Sequence, residues 1–426
     1  MRQTESSRGG GTGRGRTAAG CTLLVLALGA GLTGCAADDH PLSVEPYDAA
    51  EQISFNGSVD GGSAVDPDRP LEVVAEDSRG RITDVTAVDA SGRHVAGELA
   101  ADGSRWHSTS PLAENARYTL RVSTEDENGR PGRKVLTLTT GKPATTRRLT
   151  VAFGPQTGTY GVGQPLTAEL NAPVKDRAQR AVVERALRVE STPAVTGAWH
   201  WVDDRKLHYR PKDYWPAHAT VRMSSVLEGV KVNDRLRGGA SPSLTIRTGD
   251  RVIAVADAAA HRLSVHKNGE EIKRIPITTG KPGFETRNGV KVVLGKERFV
   301  RMRSTTVGIA EGSAESYDLD VEFAVRVTWS GEYAHAAPWS VDSQGNANVS
   351  HGCVGMSTEN AEWFFDTVRA GDLVEVVNSA GDTMESFGNG FGDWNLTWAE
   401  WREGSALTDG TAQVTQEAAR LRPAAA

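Results

Sequence analysis

The sequence predicts a mainly β chain: two immunoglobulin-like β-sandwich modules, a β-rich third segment with one main helix, and a small Trp-rich C-terminal subdomain. Three observations carry this. Short alternating runs separated by Gly, Asn, Asp and Pro turns begin near residue 51 and continue to residue 377. The same plan occurs twice, over 51–145 and 146–249, with a Trp, a Pro-containing turn and an alternating strand late in each copy. One helix is clear, with Ala361, Phe364, Phe365 and Val368 at i, i+3, i+4 and i+7. At ~150 residues per domain, 426 residues suit two to four domains.

Residues 1–34 read as an export signal. Arg2, Arg8, Arg14 and Arg16 form a positive start, and an apolar run over 22–32 follows. The run is short of the ~20 apolar residues a membrane span needs. It ends in Leu32-Thr33-Gly34-Cys35, which resembles the lipobox of bacterial lipoproteins, with Cys35 as the lipidated N-terminus. The plain alternative is a secreted protein in which Cys35 is incidental. Residues 35–50, polar with Pro41 and Pro46, read as a membrane tether.

In the first module, runs at 71–75, 82–88, 118–122 and 135–139 alternate at strand period. Asp102-Gly103 and Asn128-Gly129 are among the turns between them. The acidic loop 60–68 lacks a calcium-loop pattern. In the second module, runs at 148–152, 199–202, 206–209, 220–223 and 243–247 repeat the pattern, with a helical insertion at 176–190. His94, His107, His200, His208 and His218 lack metal-ligand spacing and read as ordinary surface or half-buried residues. The third segment covers 250–378. There Asn268-Gly269 joins two alternating runs, a hairpin signal, and further strands are expected at 290–294, 319–327 and 372–377. Ser357 or Thr358 can cap the helix, and Gly371 fits just beyond its end. Trp394, Trp398 and Trp401, in the 379–405 subdomain, read as one buried helical face. Residues 406–426 read as a flexible tail.

The formal charge is −6, and removing the net +3 of residues 1–34 leaves −9. With no basic stripe, that argues against a nucleic-acid partner. Of the three cysteines, Cys21 leaves with the signal and Cys35 takes the lipid, so Cys353 is a lone exported thiol. Such a thiol is an intermolecular link, a free reactive group or an inert small hydrophobe. It lies in Ser350-His351-Gly352-Cys353, just before the main helix, whose dipole is expected to favour the thiolate. His351 and His335 are both available to it, and a Cys–His pair is the minimal unit of nucleophilic acyl chemistry. One Cys and two His leave a zinc site incomplete, so no metal or cofactor is expected.

His335, fourteen intervening residues and Ser350-His351-Gly352-Cys353 together resemble the catalytic motif of the L,D-transpeptidases of YkuD type. The resemblance covers most of the chain. Lipoprotein tether, two immunoglobulin-like modules, catalytic domain and Trp-rich tail are similar to the actinobacterial members, whose C-terminal subdomain packs on the catalytic domain. It implies Cys353 as nucleophile and His335 as general base and acid. It also implies that the Ala336 backbone carbonyl orients His335, where the family often has Ser. Ser350, His351, Gly352 and Tyr317 are implied around the oxyanion. Met302, Tyr317, Ser330, Gly331, Trp339 and Gly355 are implied as substrate contacts. Gly355 departs from the family, which usually has a polar residue there.

The implied reaction is 3→3 cross-linking of peptidoglycan stems through a thioester, with release of D-Ala. Peptidoglycan donor and acceptor stems are the implied partners, and carbapenem β-lactams the implied covalent inhibitors. The implied location is the outer face of the cytoplasmic membrane, by a lipid anchor. Two other readings are a Cys-dependent hydrolase of the same stems and a non-catalytic wall-binding lipoprotein.

Overall fold

The computed structural model describes residues 45–56, 64–76, 80–142, 147–407 and 413–414. The export signal, Cys35, most of the tether and most of the tail lie outside the described residues. The described residues from Pro46 onward form one compact unit.

Two sheets make the first sandwich. One runs Tyr47–Asp48, Pro131–Thr139, Arg117–Asp126, Gly80–Asp89, His94–Val95; the other runs Ile53–Phe55, Glu72–Ala75, Arg105–Ser108, Gly97–Leu99. Strand alternation decides the core: Tyr118, Leu120 and Val122 point inward from one strand, against Leu71, Val73 and Trp106. The Tyr118 hydroxyl accepts the Ala113 N–H at 2.7 Å, which ties the strand to the turn before it.

The second sandwich has sheets Val151–Gly154, Leu166–Leu170, Lys206–Pro211, Thr196–Trp201 and Thr159–Tyr160, Leu244–Thr248, Thr220–Ser225, Leu187–Thr192. Its helix spans Arg177–Ala186, capped by the Asp176 side chain on the Gln179 N–H. The expected helix ran to residue 190. The chain instead turns extended at Leu187, because Leu187, Val189 and Ser191 alternate into the sandwich core as a strand.

The third segment has two sheets. Glu270–Pro276, Arg262–Lys267, Val252–Asp257, Leu373–Val377 and Gly289–Val292 form the first. Gly295–Arg303, Asp318–Arg326, Tyr333–Ala336 and Val354–Met356 form the second. Asn268 and Gly269 both have positive φ, as the predicted hairpin turn requires. The helix Thr358–Thr367 is capped by Ser357 and buries Ala361 and Phe364 in the core shared by both sheets. The strand Gly295–Arg303 was not expected; its Lys, Glu and Arg side chains face outward and hide the alternation.

The second sandwich is fused to the third segment. Val292 and Leu373 belong to the same buried cluster as Val162, Leu166 and Trp215. Gly161 donates its N–H to the Ala370 carbonyl at 2.8 Å, and a Cβ there would sit 2.1 Å from the Asp372 nitrogen. The Trp-rich tail also departs from expectation. Trp394 lies in a separate turn, Asp393–Asn395, and Trp398–Glu403 is a short helix of its own. The three indoles converge on the Arg210 guanidinium, 4.7–5.6 Å from their ring centroids. Trp401 donates to the Ala198 carbonyl at 2.9 Å, and Asp393 holds His208 at 2.7 Å. The tail therefore packs on the second sandwich, while Asn395 also accepts the Val290 N–H of the third segment. His208 is accordingly a buried, paired group rather than a surface one.

Candidate active site

His335 and Cys353 are brought together by two parallel strands. Tyr333–Ala336 pairs with Val354–Met356, with His335 opposite Gly355. Side chains two residues apart share a face, so Cys353, two before Gly355, faces the same way as His335. Both line one cleft of about 350 Å³. The His335 strand is buried along its length, and His335 itself is 5% exposed. Its Nδ1 lies 2.7 Å from the Ala336 carbonyl oxygen. A carbonyl only accepts, so Nδ1 carries the proton and Nε2 is left as the basic nitrogen. Burial holds this imidazole below the ordinary histidine range and keeps it neutral.

The cysteine loop is fixed by its neighbours. Ser350 donates its hydroxyl to the Cys353 carbonyl at 2.7 Å and accepts the Gly352 N–H at 3.2 Å. Thr286 donates to the Gly352 carbonyl at 2.9 Å. Gly352 has φ +114°, a conformation L side chains rarely adopt, so this position calls for glycine. The thiol points at the Gly331 carbonyl oxygen, 3.5 Å away.

The helix does not activate this thiol. The strand Val354–Met356 stands between Cys353 and the Ser357 cap, and dipole effects fade within the first turn. Burial instead pushes the thiol up to about 12, with Glu332 adding to the rise and Lys291 opposing it. Cys353 is half-buried and lines the cleft, and the rise leaves its thiol protonated at pH 7. For such a thiol to act as a nucleophile, a base would have to take its proton, and His335 Nε2 is the basic nitrogen on its face.

Met302, Tyr317 and Trp339 line the cleft with them. The Trp339 ring is 54% exposed, its centroid 6.2 Å from that of His335. Burial pushes the Tyr317 phenol up, and a thiolate at Cys353 would add to the rise. His351 turns away from the sulfur. Its Nε2 meets Glu315 at 2.7 Å, and its ring packs on Phe284 and Tyr317. Glu315 also pairs with Lys281. Gly355 lines the cleft, but the space a side chain would use is taken: a Cβ would sit 3.0 Å from both Ala337 and Thr278. Ser330 lies outside the cleft lining, where its hydroxyl accepts from Arg287 at 2.6 Å.

Residues 251–376 match the family model of the L,D-transpeptidase catalytic domain, and 62–231 match a bacterial Ig domain model that spans both sandwiches. L,D-transpeptidase 2 of Mycobacterium tuberculosis (strain CDC 1551 / Oshkosh) is 38% identical over 349 residues, which are 82% of this chain and 83% of that protein. The chain belongs to the L,D-transpeptidase family. L,D-transpeptidase 5 of M. tuberculosis (strain H37Rv) is 31% identical over 399 residues, 90% of this chain and 85% of that protein. The solved structure of the transpeptidase LdtMt1 in complex with imipenem is 41% identical, with TM-score 0.46, over 54% of this chain and 99% of that one. This L,D-transpeptidase is thus an acyltransferase of a cell-wall enzyme family that acts outside the cytoplasm.

Sequence reasoning missed a group of charges beside the cysteine. Lys291 is fully buried, and its Nζ lies 2.7 Å from Glu332 Oε2. Arg287 Nε meets the other carboxylate oxygen at 3.2 Å. The one available signal was a Lys in an otherwise apolar strand run, Val290-Lys291-Val292.

Proposed function

We propose that this enzyme forms 3→3 cross-links between peptidoglycan stems. The observation that carries this is the Cys353–His335 pair, set on one face of one cleft with His335 Nδ1 committed to the Ala336 carbonyl. The Cys353 sulfur attacks the carbonyl of the third stem residue while its proton passes to His335 Nε2. The peptide bond breaks, and His335 returns the proton to the departing D-Ala amine. A thioester remains. A side-chain amine of a second stem then attacks that thioester. Its proton goes to His335 and on to the leaving sulfur, which restores the thiol.

The Cys353 N–H, in the turn set by Gly352, is one donor for the tetrahedral oxyanion, and such a donor is typically worth ~3 kcal/mol. Tyr317, beside Cys353 in the cleft and held neutral, is a second. Met302, Tyr317, Trp339 and Gly355 would contact the donor stem within the cleft, and Ser330 and Gly331 would contact substrate on the other side of the sulfur. The same attack opens a strained β-lactam carbonyl, so a carbapenem should acylate Cys353. Incubation with a tetrapeptide stem and an acceptor amine, followed by mass spectrometry, tests the reading. A cross-linked product with loss of D-Ala is expected, and Cys353→Ala should form neither product nor carbapenem adduct. Product from Cys353→Ala would sink it.

The division of labour follows from the same reading. Residues 51–145 and 146–249 are spacer modules, 250–378 carry the chemistry, and 379–405 lock the second module to it. Lipidation at Cys35, motivated by Leu32-Thr33-Gly34-Cys35, would anchor the assembly to the membrane, facing the wall. Cell fractionation should find the wild type with membranes and Cys35→Ala in the medium; equal release of both would rule the anchor out.

A further inference from the structure

Behind Cys353, away from the cleft, sits a set of ions that the reaction above does not use. Lys291 is 0% exposed and Glu332 8% exposed. A buried pair of this kind is no better for stability than well-packed apolar side chains, because both ions lose their water. Its location is more informative. Glu332 directly follows Gly331, whose carbonyl receives the Cys353 thiol. The turn 328–331 is pinned from two sides: Asn389 accepts the Trp329 and Ser330 N–H groups at 3.3 and 2.8 Å, and the other side is held by Glu332. Its N–H donates to Thr328 Oγ1 at 2.9 Å, its carbonyl accepts the Val327 N–H at 3.0 Å, and its carboxylate takes Lys291 and both the backbone and side chain of Arg287. Arg287 then reaches Ser330 Oγ at 2.6 Å and Glu385 at 3.5 Å, which closes the turn from outside.

We propose that Lys291 and Glu332 are positioning residues for Cys353: Glu332 holds the turn that presents the Gly331 carbonyl to the thiol, and Lys291 supplies the buried cation against which the thiolate forms. The pair works by opposition. Glu332 disfavours a second negative charge beside it and keeps the resting sulfur protonated. Lys291 offsets that cost as charge develops on sulfur. Burial strengthens both effects, since little water screens them. The other groups facing the sulfur are His335 from the neighbouring strand and Tyr317 across the cleft. Arg287 and Glu385 lie behind Glu332, and His351 is already taken up by Glu315, which also binds Lys281.

This rests on Cys353 being the reactive thiol, but its test does not need cross-linking. Alkylation of the full chain by iodoacetamide, read at Cys353 by peptide mass across pH, reports ionisation of the sulfur alone. Lys291→Met should move the profile to higher pH by roughly one unit, and Glu332→Gln should move it to lower pH. The double variant Lys291→Met/Glu332→Gln should fall between the two. A purely structural pair would not shift the profile in opposite directions. Shifts in the same direction, or none, overturn the proposal. Should one single variant fail to fold, the other decides by the sign of its own shift: up for Lys291→Met, down for Glu332→Gln, with no shift or the opposite sign overturning the proposal. Carbapenem acylation slowed about tenfold at every pH supports the positioning role; wild-type acylation overturns it. A normal alkylation pattern with no cross-linked product would count against the proposed reaction and leave this inference standing.

Discussion

The two sides of Cys353 are made of opposite materials. The cleft side is lined by Met302, Tyr317, Leu319 and Trp339 and by two imidazoles, the buried neutral His335 and the Glu315-bound His351. The far side holds an ion network, with Lys291 and Glu332 buried and Arg287 half-buried at its edge. In the proposed reaction, proton movement and the Met302, Tyr317 and Trp339 contacts belong to the first side. Holding the sulfur in place and setting the field around it belong to the second. The contrast also separates two ways of activating a thiol. A helix dipole or a permanent ion pair lowers its pKa at rest. Here burial raises it to about 12, so the base must act during the reaction.

That contrast can be broken by graded substitutions. The largest effect after loss of the sulfur itself should come from His335→Ala. General-base help is typically worth ~10²–10⁴-fold, and stopped-flow or intact-mass rates of carbapenem acylation at pH 7 should fall by that much. The Lys291 and Glu332 variants come next, with opposed shifts of roughly one pH unit in alkylation. His351→Ala should be smallest, about tenfold or less, because its imidazole holds Glu315 and packs on Phe284 rather than meeting the sulfur. A collapse of rate in His351→Ala would place proton transfer in the cysteine loop and erase the distinction between the two sides.

The cleft side was legible in the sequence and the far side was not, for a physical reason. His335 and the Ser350–Cys353 loop lie close in sequence and carry a spacing that two parallel neighbouring strands require. Gly352 announces its own backbone conformation. Lys291 and Glu332 are 41 residues apart, one in the strand Gly289–Val292 and the other in the turn before Tyr333–Ala336, and each alone reads as a solvated surface charge. Only the packing of Gly289–Val292 against the 328–332 turn reveals that neither is. The same limit applies to the fold. Local alternation located the sandwiches and the hairpin at Asn268-Gly269. It could not reveal that Val292 and Leu373 complete the core of the second sandwich. Nor could the spacing of Trp394, Trp398 and Trp401 reveal that they gather around Arg210 rather than line one helix. The helix-dipole expectation failed because three residues of strand, Val354–Met356, fill the gap that sequence distance left blank.

The central claim is that a neutral His335 takes the proton of a thiol that burial keeps protonated. The most direct test is the rate of Cys353 acylation as a function of pH in the wild type and in His335→Ala. Burial holds His335 below the ordinary midpoint of ~6.5, so it stays an unprotonated base as pH falls to that value. The wild type should then react at a nearly constant rate from pH 7 to 8 and lose activity only as pH falls through the lowered His335 midpoint. His335→Ala should instead rise about tenfold per pH unit through the same range, following the small fraction of free thiolate. A flat profile in His335→Ala at close to the wild-type rate would contradict the account, because the thiolate would then already be present without its base.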